Sequence, residues 1–109
     1  MVVQEIDSYE LQSRLTGGDD LLLLDIRSSG ELAQGMLPDA EHLPMHLIPV
    51  RMNELPKDRD VVLYCHSGAR SYHACVYLAQ QGYDNVINLR GGILGWARSG
   101  NRLAMRKAG

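Results

Sequence analysis

Six consecutive residues, Cys65, His66, Ser67, Gly68, Ala69 and Arg70, concentrate the groups in this chain that could do chemistry. They follow an apolar run, Val61 to Tyr64, and precede a helical pattern, Ser71 to Gln81, with Ala74 and Leu78 at helical spacing and Gly82 closing it. A cysteine between a buried strand and a helix N-terminus faces unpaired backbone N–H groups and the positive end of the helix dipole. Both favour the thiolate, which is the nucleophilic form. Gly68 lets the backbone take left-handed angles, so successive N–H groups can point inward as an anion-binding nest. Arg70 adds a permanent positive charge at the rim. The pattern predicts Cys65 as a nucleophile, with His66, Ser67, Gly68, Ala69 and Arg70 as the binding loop around it. The plain alternative is a cysteine buried at a strand end with no reaction to perform.

The rest of the chain must hold that loop. Val3 to Ile6 reads as a short strand, followed by a helix capped by Asp7 or Ser8 and running through Leu15. Leu21 to Leu24, ending at Asp25, suits a strand covered on both faces. A short helix from Ser28 or Ser29 ends near Gly35, and Pro38 precedes a brief extended piece at Glu41 to Leu43. A helix is expected from about His46 to Leu55, with Pro49 in its first turn. Val86 to Leu89 is a further strand, and Gly91 and Gly92 turn the chain into a last helix, Ile93 to Arg98, around the single Trp96. Apolar strands alternating with helices predict an α/β domain with a mainly parallel sheet and helices on both faces. In such sheets ligands bind beyond the carboxyl ends of the strands, where Cys65 falls.

At 109 residues the chain is one domain's worth. Its 45% hydrophobic and 22% charged residues are those of a folding sequence, with no need of a metal or disulfide for stability. A net charge of −2 gives no argument for nucleic acid. The charge is uneven, however: residues 1 to 60 carry −7 and residues 61 to 109 carry +5. An anion would favour the second half, although Arg98, Arg102, Arg106 and Lys107 equally suit a solvated basic tail over 101 to 109, beyond a core of about 2 to 100. The longest apolar run is six residues, Ala74 to Ala79, with five at Val61 to Cys65, where a membrane-spanning helix needs about 20. Residues 1 to 20 carry Glu5, Asp7 and Glu10 where an export signal would be basic and then apolar. A protein away from membranes, in the reducing cytoplasm, is the expectation.

In the order and spacing of several such pieces the chain resembles the rhodanese family, sulfurtransferases that carry sulfur as a cysteine persulfide. The pieces are the CHSGAR loop, Asp25-Ile26-Arg27, Glu31-Leu32, Gly35 through Ala40, Leu55-Pro56-Lys57-Asp58, Gly82-Tyr83 with Val86, and Gly91-Gly92-Ile93 followed by Trp96. They span about residues 2 to 100. The resemblance implies a single rhodanese-like domain with a five-stranded sheet, Cys65 as sulfur acceptor and the backbone from His66 to Arg70 as its cradle. Met36 and Asp39 stand where the family has a histidine and a glycine, which bears on packing near the third strand. The implied activity is that of a thiosulfate sulfurtransferase, without cofactor. A small anionic donor such as thiosulfate would load Cys65. Cyanide or a thiol, including a protein or thioredoxin-like thiol, would unload it. Asp25 and Arg27 are expected to brace the loop or the helix that follows them.

Three other readings compete. Phosphatases and arsenate reductases also use a cysteine-to-arginine loop, but with one residue more between the two, a larger cradle suited to a tetrahedral oxyanion. A sulfur-carrier or regulatory binding module would use the fold without turnover. A metal site built from Cys65, His66, His73 and Cys75 is disfavoured, because residues two apart on a helix point roughly 200° apart. His42, His46 and His73 are expected on the surface or a helix face, and Cys75 in the core.

Overall fold

A strand forms in each segment where one is expected, and all of the strands run parallel. The computed structural model describes residues 2–105. In it the strands are β1 (Gln4–Ile6), β2 (Leu21–Asp25), β3 (Glu41–His42), β4 (Asp60–Tyr64) and β5 (Val86–Leu89). Their spatial order is β1-β5-β4-β2-β3, with every pairing parallel. The helices are α1 (Ser8–Thr16), α2 (Ile48–Arg51), α3 (Ala69–Gln80) and α4 (Gly92–Arg98). Alternation along β4 explains the two layers. Val61, Leu63 and Cys65 face a core that includes Ile48 of α2 and Ala74, Cys75 and Leu78 of α3. Val62 and Tyr64 face the opposite core, with Leu11 of α1 and Ile93 and Trp96 of α4. β4 is thus buried on both faces, with Val61 through Tyr64 at 0% exposure, and its carboxyl end delivers Cys65 to the top of the sheet.

Local chemistry accounts for most boundaries. Asp7 caps α1 by accepting the Glu10 N–H at 2.8 Å. The segment after β2 forms a 3-10 helix, Ser29–Gln34, in which the Glu31 carboxylate reaches back to the Ser28 N–H and hydroxyl at 3.1 and 3.0 Å. The helix expected from His46 to Leu55 is instead three short pieces: a 3-10 turn Met45–Leu47, α2, and a second 3-10 turn Met52–Glu54. Pro49 lacks the N–H that would reach back to Met45, and the tighter Leu47-to-Pro44, Ile48-to-Met45 and Leu55-to-Met52 bonds stand where a continuous ladder would be. The helix after Cys65 begins at Ala69, two residues before the expected Ser71, so Arg70 lies in its first turn.

Among the described residues, 101 to 105 also differ from expectation. Residues 101 to 105 are not a loose tail. Met36 and Ala104 exchange backbone hydrogen bonds at 2.8 Å each way, and the Trp96 indole donates to the Arg102 carbonyl at 2.8 Å. Leu103 packs on the second core. A buried indole N–H needs an acceptor, and this backbone supplies it. Arg98 and Arg102 are exposed, while Arg106 and Lys107 lie outside the described residues.

Asp39, in the segment that departs from the family pattern, has φ 65°. It is exposed, and aspartate tolerates the left-handed region better than most residues without being free of its cost. Asp39→Gly is therefore expected to stabilise the protein by about 0.5–1 kcal/mol, and Asp39→Val to destabilise it by a similar amount. Urea denaturation of the three proteins side by side checks the order.

Candidate functional site

The corner between β4 and α3 turns on Gly68, whose φ of 102° is left-handed. A side chain there would also crowd the Gly91 N–H and the Leu89 carbonyl, at 3.1 and 3.3 Å from an added Cβ. Across the corner sits the start of α4. The Ile93 and Leu94 N–H groups donate to the carbonyls of Cys65 and His66, both at 3.0 Å. Gly92 makes this approach possible, since a Cβ on it would come within 2.6 Å of the Cys65 carbonyl oxygen. The carbonyls of the corner are thereby tied down on one side, leaving its N–H groups to face inward.

What they face is the Cys65 sulfur. The residue is 1% exposed. Its Sγ is approached by the Gly68 N–H at 3.1 Å, the Ser71 N–H at 3.4 Å and the Ser71 hydroxyl at 3.4 Å. Burial pushes the thiol up, while the hydroxyl and N–H of Ser71 and the N–H groups of Gly68 and Ser67 pull it down. The balance is a thiol more acidic than an ordinary cysteine. No histidine hydrogen-bonds to the sulfur among the described residues. His66 and Ser67 are exposed at the mouth, and Ala69 is exposed at the start of α3.

Arg70 does not face the sulfur as a free charge. Its guanidinium forms a two-pronged pair with Glu31, Nη1 to Oε1 at 2.9 Å and Nη2 to Oε2 at 2.8 Å. That pairing, opposed by partial burial and reinforced by the Ser28 bonds, holds the Glu31 carboxyl at about 2, well below the usual carboxylate range. The rim carries an ion pair where the sequence alone suggests an unopposed cation. Beside it opens a cavity of about 410 Å³ lined by Ile26, Ser28, Pro44, Met45, His46 and Arg70.

Asp25 and Arg27 act further back. Both are buried, at 0% and 4% exposure, and pair at 2.8 Å. Arg27 also donates to the Gly35 carbonyl at 2.7 Å and to the Glu31 carbonyl at 3.4 Å. Of the two expected tasks the pair performs the second: it braces the 3-10 segment that follows, and so places Glu31 opposite Arg70. His42 is half-buried, its Nε2 2.7 Å from the Arg27 carbonyl oxygen, while His46 and His73 are exposed.

Cys75 is fully buried on α3, and burial pushes its thiol up to about 12. It is a core residue, as its place in the helical pattern suggests. Among the described residues no group of three or more histidine, cysteine or acidic side chains comes together as a metal site would require. Sequence reasoning missed two residues: Ser71, which touches the sulfur, and Asn88, which holds Ser71. The signal was present, since Asn88 is the one polar residue in the run Val86–Leu89.

A parallel five-stranded α/β sheet with a cysteine cradled at the β4–α3 corner defines a rhodanese-type domain. The rhodanese-like domain model matches residues 7–99, and the chain belongs to that family of sulfurtransferases. It is 67% identical over 99 residues to a sulfurtransferase of Allochromatium vinosum, covering 91% of this chain and 92% of that protein. It is 32% identical over 81 residues to the thiosulfate sulfurtransferase GlpE of Glaesserella parasuis, covering 74% and 75% of the two chains. A rhodanese-like domain protein from Staphylococcus aureus, of solved structure, superposes with a TM-score of 0.86 at 29% identity, covering 96% of this chain and all of that one.

Because the Glu31 carboxyl is depressed by folding, its contribution to stability is present above its unfolded value near 4.5 and is lost as pH falls toward about 2. Glu31 and Arg70 are partly exposed, at 33% and 43%, so solvent screening limits the pair. Glu31→Gln is expected to cost about 0.5–1 kcal/mol at pH 7 and almost nothing at pH 2. Denaturation of both proteins across that range measures the convergence.

Proposed function

We propose that the protein is a thiosulfate sulfurtransferase that carries sulfane sulfur as a persulfide on Cys65. The observation that carries this reading is the convergence of the Gly68 and Ser71 N–H groups on a buried sulfur at the end of β4. In the first half-reaction the Cys65 thiolate attacks the outer sulfur of thiosulfate. A bond from Sγ to that sulfur forms, the bond to the sulfonate sulfur breaks, and its electron pair leaves with sulfite. The loaded persulfide is anionic at its outer sulfur, which lies within the cradle of His66, Ser67, Gly68, Ala69 and Arg70. The same backbone dipoles serve the thiolate, the transition state and the intermediate, with little reorganisation between them.

In the second half-reaction cyanide or a thiolate attacks the outer sulfur. Thiocyanate or a new persulfide departs, and the electron pair of the breaking bond returns to Cys65. No cofactor is required by this balance. A thiol on a partner protein, or a thioredoxin-like thiol, has the chemistry to accept the sulfur, and cyanide serves as a laboratory acceptor. Arg70 contributes a positive rim tempered by Glu31, so attraction of the anionic donor rests mainly on the backbone. The pairing also argues against phosphoryl chemistry, because the guanidinium that a phosphate would need is engaged. A reducing cytoplasmic setting suits two unpaired cysteines.

The test is direct. Incubation with thiosulfate is expected to add the mass of one sulfur atom to the intact protein, and cyanide to remove it as thiocyanate. Cys65→Ser is expected to abolish both, with at least about a thousandfold loss of turnover. Cys75→Ala is expected to leave both within a few-fold. An unmodified mass after thiosulfate would leave a binding module as the better reading, and turnover surviving in Cys65→Ser would remove the nucleophile assignment.

A further inference from the structure

Behind Cys65 the otherwise apolar core contains a connected set of polar groups. Ser71 and Asn88 are 0% and 1% exposed. The Ser71 Oγ lies 3.4 Å from Cys65 Sγ and 2.5 Å from Asn88 Oδ1. Asn88 Nδ2 lies 2.9 Å from Glu5 Oε2 and 3.3 Å from the Gly68 carbonyl oxygen. Glu5 reaches this position because β1 pairs with β5 in a register that sets it directly beside Asn88. A chain of contacts thus runs from a carboxylate on the edge strand to the nucleophile.

Counting protons gives that chain a direction. A carboxylate and a backbone carbonyl only accept, so both partners of Nδ2 require the amide nitrogen on their side, and the Asn88 carbonyl must face Ser71. A serine hydroxyl has one proton. It cannot serve Oδ1 and Sγ together, and the shorter contact is to Oδ1. We propose that Asn88, oriented by Glu5 and the Gly68 carbonyl, is a positioning residue that accepts the Ser71 hydroxyl hydrogen bond and so turns a lone pair of that oxygen toward Cys65. The neutral thiol can donate its S–H to that lone pair. A thiolate cannot, so ionisation of Cys65 swings the hydroxyl proton from Asn88 to the sulfur. When sulfur is loaded, the charge moves to the outer atom, Sγ becomes an uncharged bridging sulfur, and the proton returns to Asn88. Ser71 donates fully only to the free thiolate, and Asn88 competes for that donation.

This inference rests on Cys65 being the nucleophile, but its test does not depend on sulfur transfer. The rate of alkylation of Cys65 by iodoacetamide is followed against pH in the wild type, Asn88→Ala, Ser71→Ala and the double variant. Asn88→Ala frees the Ser71 proton for the sulfur, so its midpoint is expected to fall by about half a pH unit, roughly threefold in the thiol-to-thiolate ratio. In the Ser71→Ala background the same substitution is expected to move the midpoint little.

Charged and titratable groups near the sulfur are Arg70 and His66 at the mouth, Glu31 across it, Cys75 a turn beyond Ser71 on α3, and Glu5 behind Asn88. All are present in the four proteins, so the difference between backgrounds isolates the route through Ser71. A second readout uses the unsubstituted protein: the Asn88 side-chain carbonyl ¹³C shift is expected to titrate with the alkylation midpoint as it loses its donor, and to stay flat in Ser71→Ala. An unchanged or higher midpoint in Asn88→Ala, an equal fall with and without Ser71, or a flat Asn88 carbonyl in the wild type would overturn the proposal. If Cys65 titrates as expected while thiosulfate adds no sulfur, the function is misread and the positioning stands.

Discussion

The tight β4–α3 corner is the constraint on which the rest depends. Backbone N–H groups converge on one sulfur only if the chain reverses within a few residues, and that reversal needs the left-handed angle at Gly68. The corner does not stand alone. It is pressed against the β5–α4 corner, where Gly92 lets the Ile93 and Leu94 N–H groups reach the Cys65 and His66 carbonyls. Each corner limits the other, and both are anchored by strands buried on two faces. The cradle is held rigid by the sheet beneath it, as preorganised electrostatic stabilisation requires.

A second layer of control is ionic and works through backbone placement. A buried pair such as Asp25 with Arg27 pays heavily in desolvation, and its net stabilisation is small or negative against an apolar substitute. Its value here is geometric. Arg27 fixes the carbonyls of Glu31 and Gly35, which sets the Glu31 side chain against Arg70 on the opposite side of the mouth. The loop is therefore clasped from outside by a charged pair, while Ser71 and Asn88 hold it from inside. Both devices work around a sulfur whose contacts include the Gly68 and Ser71 N–H groups and the Ser71 hydroxyl.

Much of this was legible in the residues. Apolar runs such as Leu21 to Leu24 and Val61 to Tyr64 read as doubly covered strands because nothing in them suits solvent, and the position of Cys65 follows from the second. The five-stranded count came from the family resemblance and not from periodicity. The long helix expected after His46 is instead three short pieces, because periodicity does not register the tighter 3-10 bonds on either side of Ile48–Arg51 or the N–H that Pro49 lacks. The ordered segment after Gly100 failed because its ties are backbone bonds to Met36 and to the Trp96 indole, which composition does not encode. Arg70 was seen as a cation and missed as half of a pair, since Glu31 lies 39 residues away in sequence. Pair partners across a fold are a property of topology, which the local pattern around Arg70 does not contain.

Backbone and hydroxyl donors at this corner outweigh burial and favour the Cys65 thiolate. Ultraviolet thiolate absorbance against pH, with Cys65→Ser as the blank, measures that balance in the unloaded protein. A single midpoint is expected on the acid side of a free cysteine, which titrates at about 8.5. A midpoint at or above that of the free amino acid would contradict it, because burial would then have won over the cradle.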